Sequence, residues 1–318
     1  MKIFKFFIWA SFAIPFFANA SDLNRISVLS LNCCVEGFTL ETYASRVAEF
    51  VGFLSPRIKD KPYIIGLQEI HPFEGYEHDI SKDIVKSLTD EYGIPPHHFH
   101  CDRIPHAEIV SGDTAIISNL LPGETPGEFI LPSGQTIRAM SLHLTDSPYQ
   151  LSYLIGESYG DDDGSSIDRT SPHFAKALEE SARVNRGEAL EAFLEHFMKD
   201  SEKPLVIVGD FNEPSHLDWT AGALDEKIYG HLPETPEVIE WPCTRMLHDH
   251  GFIDALRTVH PSPSDFRGYS YPATSSIPSF GPRARIDHIL VKNGSVKTYE
   301  SHDNELSDHH FIESEIAF

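Results

Sequence analysis

Short, nearly all-apolar segments recur along this chain, separated by stretches whose apolar residues fall at helical spacing. Residues 26–31, 63–67, 114–117, 137–144, 205–208, 286–291 and 311–318 read as strands. Residues 41–54, 79–92 and 174–198 read as helices. Tyr43, Val47, Phe50, Val51 and Leu54 share one helical face, and Gly93 with Pro95-Pro96 closes the second helix. The segment Leu205-Val206-Ile207-Val208 shows no polar alternation, as expected of a strand covered on both faces. Strands interleaved with helices in this way predict an α/β fold. No internal repeat is visible.

The 318 residues are 41% hydrophobic and 23% charged, enough for a large core and unlike collagen, coiled-coil or disordered compositions. With 25 Lys+Arg against 48 Asp+Glu, the formal charge is −23. Proteins that hold nucleic acid by neutralising phosphates carry a basic excess, so the balance argues against a generic nucleic-acid coat. Handling phosphate through a bound cation stays open, because the cation then supplies the local charge.

The first twenty residues have the pattern of a secretory signal peptide. Lys2 and Lys5 precede an apolar run over 6–17, and Ala18-Asn19-Ala20 is a small-x-small cleavage site. The run is about 12 residues, short of the ~20 that a membrane-spanning helix needs. Cleavage after Ala20 is expected. The chain 21–318 would then be exported to the periplasm or the medium, with no transmembrane segment. In such a compartment Cys33, Cys34, Cys101 and Cys243 admit three disulfide connectivities, or remain buried free thiols. The adjacent Cys33 and Cys34 suit each other poorly, and without a CxxC spacing a thiolate zinc site is disfavoured.

Polar residues collect where the predicted strands end. They are Asn32, Gln68-Glu69, His143, the pair Asp210 and Asn212 in Gly209-Asp210-Phe211-Asn212, Asp287, and Asp308-His309. In α/β sheets ligands gather at strand ends. Oxygen donors of this kind suit Mg2+, Mn2+ or Ca2+. Two histidines add proton transfer or phosphate contact, and together the set suits metal-assisted hydrolysis of a phosphoester. Each residue alone is an ordinary turn or surface residue; their number and order carry the inference. The cluster His97-His98-Phe99-His100 reads as surface or structural. The 145–172 segment, with its acidic run Asp161-Asp162-Asp163, is long enough to be either a functional loop or a solvated excursion. Residues 261–285, rich in Pro, Ser and Gly, read as a surface loop.

The order of these motifs resembles the endonuclease/exonuclease/phosphatase superfamily of deoxyribonuclease-like metal-dependent phosphoesterases. The resemblance spans about 26–318. Gly209-Asp210-Phe211-Asn212 and Ser307-Asp308-His309 are its most specific marks, and Gly112-Asp113-Thr114-Ala115-Ile116-Ile117-Ser118 looks like the family's central strand. The extension Pro214-Ser215-His216-Leu217-Asp218-Trp219 looks like secreted bacterial members. The resemblance implies one catalytic domain over 21–318, a four-layer sandwich of two stacked mixed β-sheets flanked by helices. It outweighs the two domains that length alone would allow.

Roles follow from the resemblance. Asn32 and Glu69 would hold the divalent metal, Mg2+ or Mn2+, with Asp308 close by. Asp210 would orient or deprotonate the attacking water. Asn212 and His143 would donate to the phosphoryl oxygens. His309 would contact the phosphate or shuttle a proton, with Asp287 orienting its ring. His288 stands where many relatives have Tyr, a change expected to alter packing beside the site. Cys34 should face the same side as Asn32. Asp146, Tyr149, His216 and Trp219 follow motif residues and are candidates for substrate contact.

Three readings compete. The first is a secreted hydrolase of a compact phosphoester, such as a phospholipid headgroup or small phosphate metabolite. The second is a deoxyribonuclease-like endonuclease, and the third a binding protein on an inactive scaffold. The third is disfavoured because none of the eight expected polar residues is missing. Nucleic acid is not favoured as a partner, because Arg183, Arg186, Arg245, Arg257, Arg267, Arg283 and Arg285 are scattered rather than striped. The apolar stretch 149–159 reads either as a membrane-touching wedge or as a loop packed on the core.

Overall fold

A computed structural model of the protein describes residues 23–34, 39–70, 79–93, 96–101, 113–155, 167–168, 170–198, 202–225, 238–273 and 282–318. The strands in chain order are β1 (Arg25–Asn32), β2 (Tyr63–Gln68), β3 (His97–His100), β4 (Ala115–Ser118), β5 (Leu121–Pro122), β6 (Glu128–Ile130), β7 (Thr136–His143), β8 (Leu205–Asp210), β9 (Ile253–Asp254), β10 (Asp287–Lys292), β11 (Ser295–Val296), β12 (Glu300–His302) and β13 (Phe311–Ala317). The helices are α1 (Leu40–Ile58), α2 (Ile80–Tyr92), α3 (Gln150–Tyr153), α4 (Phe174–Ala182), α5 (Glu188–Phe197), α6 (Ala221–Asp225), α7 (Pro242–Asp249) and α8 (Ala255–Val259).

Two mixed sheets form. One runs β11-β13-β1-β2-β4-β3, with β12 also on β13; the other runs β5-β6-β7-β8-β10-β9. The pairs β1/β2 and β7/β8 are parallel and the remaining pairs antiparallel. Alternation along the strands sorts side chains between layers. In β1, Leu29 and Leu31 pack with Phe50 and Leu54 of α1 and Ile84 of α2. Ile26 and Val28 face the other way, into a core shared with Met140, Val206, Val208 and, from α5, Leu190 and Phe193. The outcome is the predicted order of helices, sheet, sheet, helices. The sheets press together at Gly66, where an added Cβ would collide with Val208. Ser141 Oγ of β7 donates to Leu67 O of β2 at 2.9 Å.

The structure departs from the sequence reading in one helix and decides two alternatives left open there. The predicted helix over 174–198 is broken by a π turn at Arg183–Gly187, which buries Arg186. Arg186 Nη1 donates to Thr145 O at 3.0 Å, and its Nε lies 3.5 Å from Glu213 Oε2. That buried guanidinium pins the start of the 145–172 segment to the helix. Tyr149, Leu151, Tyr153 and Leu154 are buried with Trp219 and Trp241. The stretch 149–155 is therefore core and not an exposed wedge, and Trp219 belongs to the same core. All four cysteines are free and buried. Residues 1–20, 156–159 and the acidic run at 161–163 lie outside the described residues. No helix among the described residues is long and apolar enough to cross a membrane.

Candidate active site

The polar residues singled out above converge at one end of the two sheets. Asn32 is the last residue of β1, His143 the last of β7 and Asp210 the last of β8; Asp287 opens the antiparallel β10 directly opposite Asp210. Glu69 follows β2 with φ 52°, which turns its carboxylate out of the strand line. Gly209 sits at φ 143°, where a Cβ would strike the Leu142 carbonyl, so only glycine lets β8 reach Asp210 this close to β7. Asp210 Oδ1 then accepts the Asn212 backbone N–H at 2.8 Å, closing the turn with Asn212 at φ 49°.

Asn32 is the buried hub. Its Nδ2 donates to Glu69 Oε1 at 2.8 Å and to Asp210 Oδ2 at 3.1 Å, and approaches His309 Nε2 at 3.4 Å. Its Oδ1 accepts the Cys34 backbone N–H at 3.0 Å. The amide oxygen thus keeps a second lone pair, while the NH2 braces two carboxylates. Two histidines flank the hub. His309 Nδ1 lies 2.8 Å from Asp287 Oδ2, and its Nε2 lies 3.6 Å from Asp210 Oδ2. His143 Nε2 lies 3.7 Å from Glu69 and 3.8 Å from Asp210, while its Nδ1 lies 3.2 Å from Asp113 Oδ2.

Asp113 is the residue that sequence reading missed as a site group. It precedes the short β4, inside the segment that resembles the family's central strand, but nothing along the chain pairs it with His143, 30 residues away. Asp308 is half-buried beside Cys34 and Ser307, with its Oδ1 3.4 Å from Ser307 Oγ. It does not join the two tight clusters, Glu69–His143–Asp210 and Asp210–Asp287–His309, whose donor atoms all fall within 4.8 Å of one another. One Asn212 amide hydrogen goes to Leu144 O at 2.8 Å, which leaves one for a ligand. His288 is buried against Phe211 and Glu213 O, beside the site as expected. Tyr271, unmarked in the sequence reading, packs its ring 4.8 Å from that of His309. His216 is held by Thr244, and Tyr149 is buried.

Burial and mutual repulsion shape the charges. Burial raises the Asp210 carboxyl to about 7; His309 opposes this and Asp287 adds to it. Burial also raises Glu69, against the pull of His143 and His309, with Asp308 pushing it further up. Burial alone would depress both histidines. Hydrogen bonding and charge from Asp113, with Glu69 and Asp210, instead hold His143 up at about 10. Asp287 and Asp210 hold His309 well above the usual imidazole range. Asp287 Oδ1 is buried with no hydrogen-bond partner among the described residues. Crowded, desolvated carboxylates and a spare buried oxygen fit a hard divalent cation.

Comparison with known proteins fixes the class. The model of the Endonuclease/Exonuclease/phosphatase family matches residues 29–309, and the chain belongs to that family. As a member it is a metal-dependent phosphoesterase. It is 24% identical over 300 residues to the uncharacterized protein F14F9.5 of Caenorhabditis elegans, covering 88% of this chain and 82% of that one. Among solved structures it is similar to an endonuclease/exonuclease/phosphatase family protein from Leptotrichia buccalis, with TM-score 0.52 and 14% identity, covering 92% of this chain and 100% of that one. A mannosyl-6-phosphatase of Bacteroides thetaiotaomicron aligns with TM-score 0.48 and 14% identity, covering 92% of this chain and 100% of that one.

Proposed function

We propose that the protein is an exported hydrolase of a compact phosphoester, using Mg2+ or Mn2+. The observation that carries the reading is the convergence of Glu69, Asp210 and His309 on the buried Asn32 amide, with His143 3.7 Å from Glu69 and 3.8 Å from Asp210. Asn32 and Glu69 would hold the cation, with Asp308 near enough for its charge to raise Glu69. The cation, when bound, would neutralise charge developing on the phosphoryl group and acidify water. Asp210 orients the attacking water and accepts its proton, and Asn32 keeps that carboxylate in place. His143, braced by Asp113, and the spare Asn212 amide hydrogen donate to phosphoryl oxygens. His309 contacts the phosphate through Nε2 and transfers a proton, because Asp287 holds its Nδ1–H. No serine or cysteine nucleophile is required.

A compact substrate is favoured over long nucleic acid by the formal charge of −23 and by the commitment of arginines to internal partners. Arg186, Arg257 and Arg285 are all buried in ion pairs. Export rests on the Lys2, Lys5 and Ala18-Asn19-Ala20 pattern, and N-terminal sequencing of secreted material should read Ser21 first. Substrate is tested by comparing turnover of phospholipids, inositol phosphates, nucleotides and sugar phosphates with that of plasmid and single-stranded DNA. Efficient DNA cleavage with steep salt dependence, and no turnover of small phosphoesters or lipids, would instead make the protein a nuclease.

A further inference from the structure

The cluster His97-His98-Phe99-His100 is not a loose surface run. It forms strand β3, which among the described residues lies at the sheet edge and pairs with β4 alone, with His98 opposite Ile117 and His100 opposite Ala115. Residues two apart on a strand share a face. His98 and His100 accordingly stand side by side, with ring centroids 4.6 Å apart and planes at 84°. His100 meets Asp79, the N-cap of α2, directly, and His98 reaches it through Ser81. Asp79 Oδ2 lies 3.1 Å from His100 Nε2, and Ser81 Oγ lies 2.7 Å from His98 Nε2 and bonds Asp79 Oδ1. Asp79 and His100 are buried, whereas His98 is only half-buried and leaves a way in.

We propose that Asp79, His98 and His100 form a Zn2+ site separate from the catalytic centre. Two imidazoles and one carboxylate are zinc donors, and zinc binds such atoms at about 2.0–2.1 Å. One donor atom from each of the three residues already lies within 4.8 Å of the other two, so small ring rotations bring them onto that radius. Ser81 stays on Asp79 Oδ1 as an outer partner that fixes the carboxylate. Water would take the fourth position. Among the described residues the cation in the way is Lys82, whose Nζ lies 3.0 Å from Asp79 Oδ2 on a side chain 62% exposed, free to swing out. The ion would tie the sheet edge to α2. Through the Ile80 N–H to Ile70 O and Ile70 N–H to Asp113 O bonds, it would steady the backbone that carries Glu69 and Asp113.

The test is Zn2+ alone, titrated into the full chain in excess Mg2+, with bound zinc counted after dialysis. Wild type and Glu69→Gln should each retain about one ion, and zinc should raise their melting temperature. His98→Ala and His100→Ala should bind roughly 100-fold more weakly or worse, beyond the ~10–100-fold that losing an outer partner costs. They should also lose the zinc-dependent rise in melting temperature. His98→Ala, which removes a half-buried edge ring, keeps the test decisive if His100→Ala does not fold. No zinc on wild type, equal retention by His98→Ala, or loss in Glu69→Gln alone would overturn the proposal.

Discussion

The Nδ1 of His309 lies 2.8 Å from Oδ2 of Asp287, and both residues are buried. Asp287 is also the register partner of Asp210 across β10 and β8. One antiparallel pairing thus places the carboxylate that orients the ring next to the carboxylate that faces it, fixing which imidazole nitrogen looks into the site. His309→Ala should lower kcat by about 10²–10⁴, the usual worth of a positioned proton-transfer group. Asp287→Asn should cost less, because the ring remains. Steady-state kinetics on both variants decide the point, and His309→Ala within twofold of wild type would remove His309 from the chemistry.

His143 leans on Asp113 in the same manner. Asp113→Asn should let the His143 pKa fall from about 10 toward the ordinary ~6.5, readable in an NMR titration of the metal-free protein. Turnover should drop roughly 10- to 10²-fold, below the full ~10²–10⁴ of a lost proton-transfer group. An unchanged titration would show that Asp113 does not hold the ring.

Behind the site, Asp218 accepts from Arg257 Nε at 2.6 Å and Arg285 Nε at 2.8 Å, all three buried. Asp218→Ala would leave two guanidiniums short of a partner and should cost about 3–5 kcal/mol of stability in urea unfolding. Asp254, bonded to Arg285 at 2.7 Å, adds a pH signature. Burial would raise its carboxyl, but Arg285 and His288 hold it down at about 2, below the ordinary ~3.9. Its contribution is present above about pH 4 and is lost as pH falls through 2. Asp254→Asn should flatten that part of the acid-unfolding curve.

The four buried thiols predict a further result. The denatured, unreduced protein should titrate with four free thiols, and a reductant should leave the melting temperature unchanged. A shift on reduction would signal a disulfide.

Much of this was readable from residues because it is local. Strands such as Leu205–Asp210 are apolar over most of their length, and Gly93 with Pro95-Pro96 marks the end of α2. Motif order likewise identified eight residues that the fold gathers at one end of its sheets. What escaped depends on distance along the chain. Asp113 matters only because β4 sets it beside His143, and Tyr271 only because its loop returns to His309. The amide orientation of Asn32 follows from Cys34 N–H and two carboxylates brought in by other strands. The apolar stretch from Tyr149 stays open in sequence between wedge and packed loop because Trp219 and Trp241, which cover it, come 70 and more residues later.

The central claim is that Glu69 and its neighbours hydrolyse a phosphoester with a divalent cation. It is tested most directly by following release of product from an activated phosphodiester and phosphomonoester by purified 21–318. Turnover should vanish in excess chelator and return with Mg2+ or Mn2+. Glu69→Ala should lose about 10²-fold or more at saturating metal while keeping the wild-type circular dichroism. Full activity in excess chelator, or a Glu69→Ala enzyme as fast as wild type, would contradict the claim.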